Sequence, residues 1–225
     1  MTEPSRERIR RREMIRTSAV YLVTEEALSA GRRSEEIAEA ALRAGVRVVQ
    51  VREKEGSARR ALEVALNLRE LTRRYGALML VNDRIDIAIA AGADGVHVGQ
   101  EDLPVELARR LLGDDALVGL SITGADQLAA RDAAEADYLG VGAVFPTGSK
   151  GDATLSGLPL LAAARAATQA PVVAIGGIDA GNAGLAIVAG ADGVAVISAV
   201  AAAADPAAAV EALSAAVVAA KAGRR

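Results

Sequence analysis

The hexapeptide AGADGV occurs twice, at 91–96 and again at 189–194. In each copy Ala-Gly ends a segment with helical spacing, and Gly-Val opens a short β-branched run. A glycine just past the last helical turn supplies the left-handed cap that closes a helix. Ala44-Gly45 and Tyr75-Gly76 carry the same signal. Both copies therefore mark one geometry, a helix handing over to a strand.

Outward from these joints, eight apolar runs alternate with Ala/Leu/Arg helical segments. They are VYLVT (20–24), VRVVQVRE (46–53), ALMLVND (77–83), GVHVGQ (95–100), LVGLSIT (117–123), DYLGVGAVF (137–145), PVVAIGGI (171–178) and GVAVIS (193–198). Strands this apolar are buried on both faces, which implies a parallel sheet covered by helices. Eight such units in one chain of this length predict an α/β fold, a single-domain TIM (β/α)8 barrel over 18–222. Residues 1–17 would be an extra basic arm, flexible or helical, and 223–225 a tail. The rival, a doubly wound open sheet, would carry G-x-G-x-x-G after its first strand. VYLVTEEALSAGRR has none.

Composition narrows the chemistry. The chain is 52% hydrophobic and only 2% aromatic, so Ala, Val, Leu and Ile must build the core. It has no cysteine, which excludes disulfides, thiolate metal sites and a cysteine nucleophile. One histidine excludes a multi-histidine metal site. A formal charge of −3 gives no reason to expect nucleic acid. The basic stretch RERIRRREMIR lacks aromatics and any nucleic-acid module, so a solvated end, dispensable for turnover, is expected. No signal-peptide pattern is present, and Asp205 and Glu211 interrupt the Ala-rich tail. A cytoplasmic protein without a membrane partner is expected; the oligomeric state, including a homo-oligomer, is left open.

In a TIM barrel the ligand binds at the C-terminal ends of the strands. Strand 2 runs into VVQVREKEG (48–56), whose alternation puts Gln50, Arg52 and Lys54 on one face and Val51 and Glu53 on the other. Two cations and an amide along one face suit a polyanion such as a diphosphate. Only three of the 26 basic residues are lysines, and two of them, Lys54 and Lys150, fall in loops at this end. Strand 3 ends in Asn82-Asp83 and strand 4 is followed by Asp102. Two carboxylates at neighbouring strand ends could hold Mg²⁺ together with substrate oxygens, or each could be a helix cap. Asn82 could donate to a ligand or form a turn. Ser121 after strand 5 could bind a ligand or cap a helix. The strand-6 loop PTGSKGDATLSG (146–157) offers Thr147, Ser149 and Lys150 among glycines, as a ligand loop or a lid. Gly176-Gly177 after strand 7 and Ile197-Ser198 after strand 8 sit where TIM barrels commonly hold phosphate. His97 reads as a packed, hydrogen-bonded residue and receives no role. No general base, nucleophile or Schiff-base lysine stands out.

The segments VQVREK (49–54), VNDRIDIA (81–88), ADGVHVGQED (93–102), GLSIT (119–123), DYLGVGAVFPTGSKGDA (137–153), AIGGI (174–178) and GADGVAVISAV (190–200) resemble the thiamine-phosphate synthase family in order and spacing. The resemblance spans roughly 18–222. It implies an enzyme in which a thiazole phosphate displaces pyrophosphate from an aminopyrimidine diphosphate with one Mg²⁺. Carried over, Gln50, Val51, Arg52, Glu53, Lys54, Asn82, Ser121 and Lys150 would hold the pyrimidine diphosphate. Arg52, Lys54, Lys150 and Ser121 would serve catalysis. Thr147, Gly148, Ser149, Gly177, Ile197 and Ser198 would hold the thiazole phosphate, and Asp83 and Asp102 the Mg²⁺. Glu53 lies on the opposite strand face and is expected to pair toward the helices. The chain departs from the family at Thr123, where many members have His, and at Ser149, which keeps a hydroxyl. A thiazole tautomerase-like paralogue and a non-catalytic phosphate-ligand sensor on the same barrel are the alternatives.

Overall fold

The computed structural model describes residues 4–54, 56–148 and 155–224. Eight parallel strands, β1 (Val20–Val23), β2 (Val48–Val51), β3 (Leu78–Asn82), β4 (Gly95–Val98), β5 (Leu117–Ile122), β6 (Tyr138–Val141), β7 (Val172–Ile175) and β8 (Gly193–Val196), close in sequence order. Each falls within one of the eight apolar runs. The closed barrel excludes the open doubly wound sheet.

The helices that cover the strands follow from spacing and caps. Helix α3 (Ala58–Arg74) buries Ala61, Val64, Ala65, Leu68 and Leu71 along one stripe, and the Ser57 side chain accepts the Arg60 N–H at its start. Helices α1 (Arg6–Thr17), α2 (Ser34–Arg43), α4 (Ile85–Ala90), α5 (Val105–Leu112), α6 (Arg131–Glu135), α7 (Gly157–Ala167), α8 (Ala183–Val188), α9 (Ser198–Ala201) and α10 (Pro206–Gly223) complete the described set. Alternation along the strands divides the apolar core in two. Val49, Val51, Met79, Val81 and Leu139 face the helices, while Val23, Val48, Leu78, Leu80, Leu117 and Val173 fill the barrel.

The basic N-terminal segment is the first departure from expectation. It is not a solvated end but a helix docked across the N-terminal ends of the strands. Ile15 is 1% exposed and joins the interior cluster with Tyr21, Val48, Leu78 and Leu117. Three of the six arginines of α1 reach carboxylates at the strand starts. Arg8 Nε donates to Asp137 Oδ1 at 2.7 Å, Arg11 Nη2 lies 3.0 Å from Asp94 Oδ1, and Arg16 Nη1 lies 3.9 Å from Asp192 Oδ2. Arg8, Arg11 and Arg16 thus answer carboxylates at the floor.

The repeated hexapeptide explains those carboxylates. Asp94 and Asp192 come from its two copies, and Asp137 stands in the same place before β6. Each accepts a backbone N–H from the start of the preceding odd strand: Met79 to Asp94 at 2.9 Å, Val118 to Asp137 at 2.8 Å and Val172 to Asp192 at 2.8 Å. Each also pairs with an arginine of the helix that leads into that odd strand: Arg69 before β3, Arg109 before β5 and Arg165 before β7. Before β2 the corresponding place holds Arg47, which donates to the Leu42 and Val46 carbonyls. The barrel floor is thus one ionic device used three times around the ring.

The C-terminal helix also differs from expectation. Despite Glu211, α10 is long and apolar enough by length and composition to cross a bilayer. Its Val210, Leu213 and Val217 are instead buried in the outer core, where α10 packs on α8 and α2.

Candidate active site at the barrel mouth

At the opposite end the strands deliver polar side chains. Gln50, Arg52, Asn82, His97 and Ser121 line a cavity with Tyr21, Val23, Tyr138, Val173, Ile175, Ala195 and Ile197. The alternation in VVQVRE holds. Gln50 donates from Nε2 to Tyr21 Oη at 2.7 Å inside the barrel, and Arg52 lines the same cavity. Val51 belongs to the outer core, and Glu53 accepts from Ser34 Oγ at 3.3 Å near the start of α2. The side chains of Val51 and Glu53 therefore do not join the mouth, because strand pleating turns them away. Burial pushes the Glu53 carboxyl above its ordinary pKa, and neighbouring Glu26 adds to the shift.

The cations of strand 2 are already paired. Arg52 Nη1 contacts the Glu25 carboxylate, which follows β1, and Lys54 Nζ lies 3.6 Å from Asp83 Oδ2. Burial pulls the Arg52 pKa below its ordinary value, with Asp83 opposing that shift. Arg52 keeps one donor in reserve. Its buried Nε has no partner among the described residues, a costly condition for a guanidinium unless an acceptor arrives.

Asp83 and Asp102 are not helix caps. The residue before α4 is Arg84 and the one before α5 is Pro104, and neither helix start receives a side-chain cap. Asp83 takes a left-handed backbone conformation (φ 61°), uncommon outside glycine but one that Asp and Asn adopt more readily than other residues, with its N–H given to the His97 carbonyl at 2.8 Å. Asp102 is exposed and its Oδ2 accepts the Gly99 N–H at 2.6 Å. Asn82 is half-buried beside His97 across the β3–β4 ladder.

His97, which sequence reading left without a role, accounts for Ser121. Its Nε2 lies 2.9 Å from Ser121 Oγ and its Nδ1 lies 2.8 Å from Tyr138 Oη. Gln100 Nε2 donates to the Ser121 carbonyl at 2.6 Å. Thr123, at the position of the departure noted above, is exposed and spends its N–H and hydroxyl on the Gln127 side chain.

On the far side of the mouth the loops after β6 and β7 are joined. Phe145 donates its N–H to the Gly176 carbonyl at 3.0 Å, and a Cβ at Gly177 would collide with the Phe145 and Pro146 carbonyls. Gly177 also has φ 65°, so glycine is required there on two counts. Asn182 holds the Gly177 carbonyl at 2.8 Å. Thr147 and Gly148 continue this loop, and Ser198 opens α9 directly after β8 and Ile197. Ser149 and Lys150 lie outside the described residues.

Sequence reading missed Glu25, Tyr21 and Tyr138. The signal for Glu25 is in the sequence: VYLVTE (20–25) puts a carboxylate just past the end of β1. The tyrosines gave no such signal, since a strand tyrosine reads as core until its hydroxyl partners are known.

Residues 20–200 match the family described as thiamine monophosphate synthase. A thiamine-phosphate synthase of Haloarcula marismortui is 53% identical over 182 residues, covering 79% of this chain and 86% of that protein. One from Moorella thermoacetica is 50% identical over 179 residues, covering 79% and 85%. Among solved structures, a thiamine phosphate pyrophosphorylase from Pyrococcus furiosus superposes with a TM-score of 0.84 at 38% identity, covering 92% of this chain and 98% of that one. With identities this high across the whole barrel, the chain belongs to the thiamine monophosphate synthase family and is a transferase that makes thiamine phosphate from phosphorylated small molecules.

Proposed function

We propose that the mouth divides the synthase reaction between its two sides. Gln50, Arg52, Lys54, Asn82 and Ser121, with Lys150 from the strand-6 loop, hold the aminopyrimidine diphosphate. Thr147, Gly148, Ser149, Gly177, Ile197 and Ser198 hold the thiazole phosphate opposite. The observation that carries this reading is the buried Arg52 Nε, a donor without an acceptor in a cavity lined by Gln50, Asn82 and Ser121. A diphosphate oxygen is the acceptor it fits.

Asp83 and Asp102 would hold one Mg²⁺. Among the described residues no group of three or more His, Cys, Asp or Glu could hold a metal by itself. Two carboxylates fit Mg²⁺, which usually keeps waters and takes its remaining ligands from substrate phosphate. When bound, the ion neutralises charge on the diphosphate.

The residues of the chain then act by placement and charge. Negative charge grows on the leaving diphosphate as the methylene carbon–oxygen bond breaks, and Arg52, Lys54 and Lys150 stabilise that growth. The thiazole nitrogen attacks the same carbon and carries no proton, so no general base is required. Diphosphate binding draws Arg52 and Lys54 toward the ligand from Glu25 and Asp83. Phosphorylated substrates do not cross bilayers unaided, and this reading places the protein in the cytoplasm.

Purified protein given both substrates and Mg²⁺ is expected to release one pyrophosphate per thiamine phosphate formed. Omitting the thiazole phosphate should abolish steady-state release. Absence of pyrophosphate with both substrates present would overturn the proposed use of the site.

A further inference from the structure

Five polar side chains from five strands form one unbroken hydrogen-bond chain inside the barrel. Gln50 Nε2 lies 2.7 Å from Tyr21 Oη, which lies 2.9 Å from Tyr138 Oη. Tyr138 Oη lies 2.8 Å from His97 Nδ1, and His97 Nε2 lies 2.9 Å from Ser121 Oγ. Tyr21 and Tyr138 are 3% and 1% exposed, so bulk water does not compete. Burial pushes both phenols up, and both keep their protons at neutral pH. Two glycines clear the space: a Cβ at Gly119 would strike the Tyr138 ring, and one at Gly140 would strike His97.

The direction of such a chain follows from its first member. An amide nitrogen can only donate. The Tyr21 oxygen accepts from Gln50, and its buried proton finds its acceptor in the Tyr138 oxygen, since a Tyr138 donor at that link would leave the Tyr21 proton unmet. The Tyr138 proton then goes to His97 Nδ1, which must offer a lone pair, so the ring is neutral with its proton on Nε2. That N–H donates to Ser121 Oγ, and the serine proton is left facing the cavity.

We propose that Tyr21, Tyr138 and His97 are positioning residues, polarised by Gln50, that make Ser121 present its hydroxyl proton to an acceptor atom of the bound pyrimidine substrate. This rests on the reading of Ser121 as a contact of the pyrimidine diphosphate. The opposite polarity, with the Gln50 amide turned, would put the imidazole proton on Nδ1. Ser121 would then donate to His97 and offer the substrate a lone pair, which suits a nucleophile. A displacement by the thiazole nitrogen has no use for that.

His97 is the only histidine, so ¹⁵N-histidine labelling of the full chain gives one pair of ring-nitrogen signals that need no assignment. The expected spectrum at neutral pH has a protonated, pyrrole-type Nε2 and a pyridine-type Nδ1. A proton on Nδ1, or on both nitrogens, overturns the proposal. Tyr138→Phe should mix the two tautomers and lower kcat on the order of tenfold. It should leave KM for the thiazole phosphate within roughly twofold. A variant with wild-type ring signals and wild-type kcat also overturns it. Should Tyr138→Phe not fold, Tyr21→Phe cuts the chain one link earlier, with the same expectation and the same overturning result. The ring signals are read without turnover. An inactive wild-type protein would therefore count against the synthase site while the polarity of the chain is still decided.

Discussion

The two ends of the barrel use the same kinds of charged residue to opposite effect. At the floor Asp137 is fully buried and saturated: Val118 N–H, Arg8 and Arg109 all point at it. Asp94 is served in the same way by Met79 N–H, Arg69 and Arg11. At the mouth Arg52 is also buried and its Nε has no acceptor among the described residues. Arg69 Nε at the floor shares that condition, but Arg69 gives both of its Nη groups to Asp94, whereas Arg52 lines the open cavity. Lys54 and Asp83 meet at 3.6 Å, longer than a hydrogen bond, and both are partly exposed. Carboxylates enclosed by their partners hold a fold in place. An unmet donor that lines a cavity is poised for something that comes and goes.

This difference is sharpest when the floor is taken apart. Deleting residues 1–17 removes the Ile15 plug and takes one cation each from Asp94, Asp137 and, at longer range, Asp192. The expected loss is on the order of 5 kcal/mol, seen as a lower urea midpoint, while kcat of the protein that remains folded is unchanged. An unchanged midpoint would show that α1 is an ornament and that the floor stands without it. Next in size, Asp137→Asn keeps the shape but leaves Arg8 and Arg109 facing a neutral amide, at a cost of about 3–5 kcal/mol. Here too stability should fall and turnover per folded molecule should not.

The matching substitution at the mouth should invert that outcome. Asp83 sits at φ 61°, a conformation asparagine tolerates well, so Asp83→Asn changes charge with little backbone cost. We expect kcat/KM to fall on the order of a hundredfold, about 2.7 kcal/mol of transition-state stabilisation, with the urea midpoint nearly unmoved. Comparable losses of activity and stability would make Asp83 a floor-type residue at the wrong end, and would remove it from the Mg²⁺ site.

The mouth was more legible in the sequence than the floor, for a physical reason. Period-2 alternation and the position of a residue after a strand are local properties, so VVQVREKEG alone placed Gln50 and Arg52 inward and Val51 and Glu53 outward. The floor depends on pairs far apart in the chain, such as Arg8 with Asp137 and Arg11 with Asp94. The repeated AGADGV marked two of the three carboxylates, but nothing local in it says that a basic N-terminal segment will answer them. The same limit hid the Tyr21–Tyr138–His97 chain, in which each member looks like core until the barrel closes.

The smallest expected effect tests whether charge pairs within α1 matter once the helix is docked. Glu7 accepts from Arg10 and Arg11, and the Arg10 bond above all lowers its pKa from 4.5 to about 2. A carboxyl with a depressed folded-state pKa contributes stability that is present above about 4.5 and lost as pH falls toward 2. The pair is solvent-exposed, so screening leaves it only a few tenths of a kcal/mol. Thermal melts of Glu7→Gln and wild type should differ slightly at pH 6 and converge as pH falls through that window. Arg11 also reaches Asp94 at the floor, which gives the comparison its last discrimination. A Glu7→Gln deficit that stays large at the low end of the window would mean that Glu7 acts by aiming Arg11 at Asp94, and that the floor begins one residue further out than the buried triads.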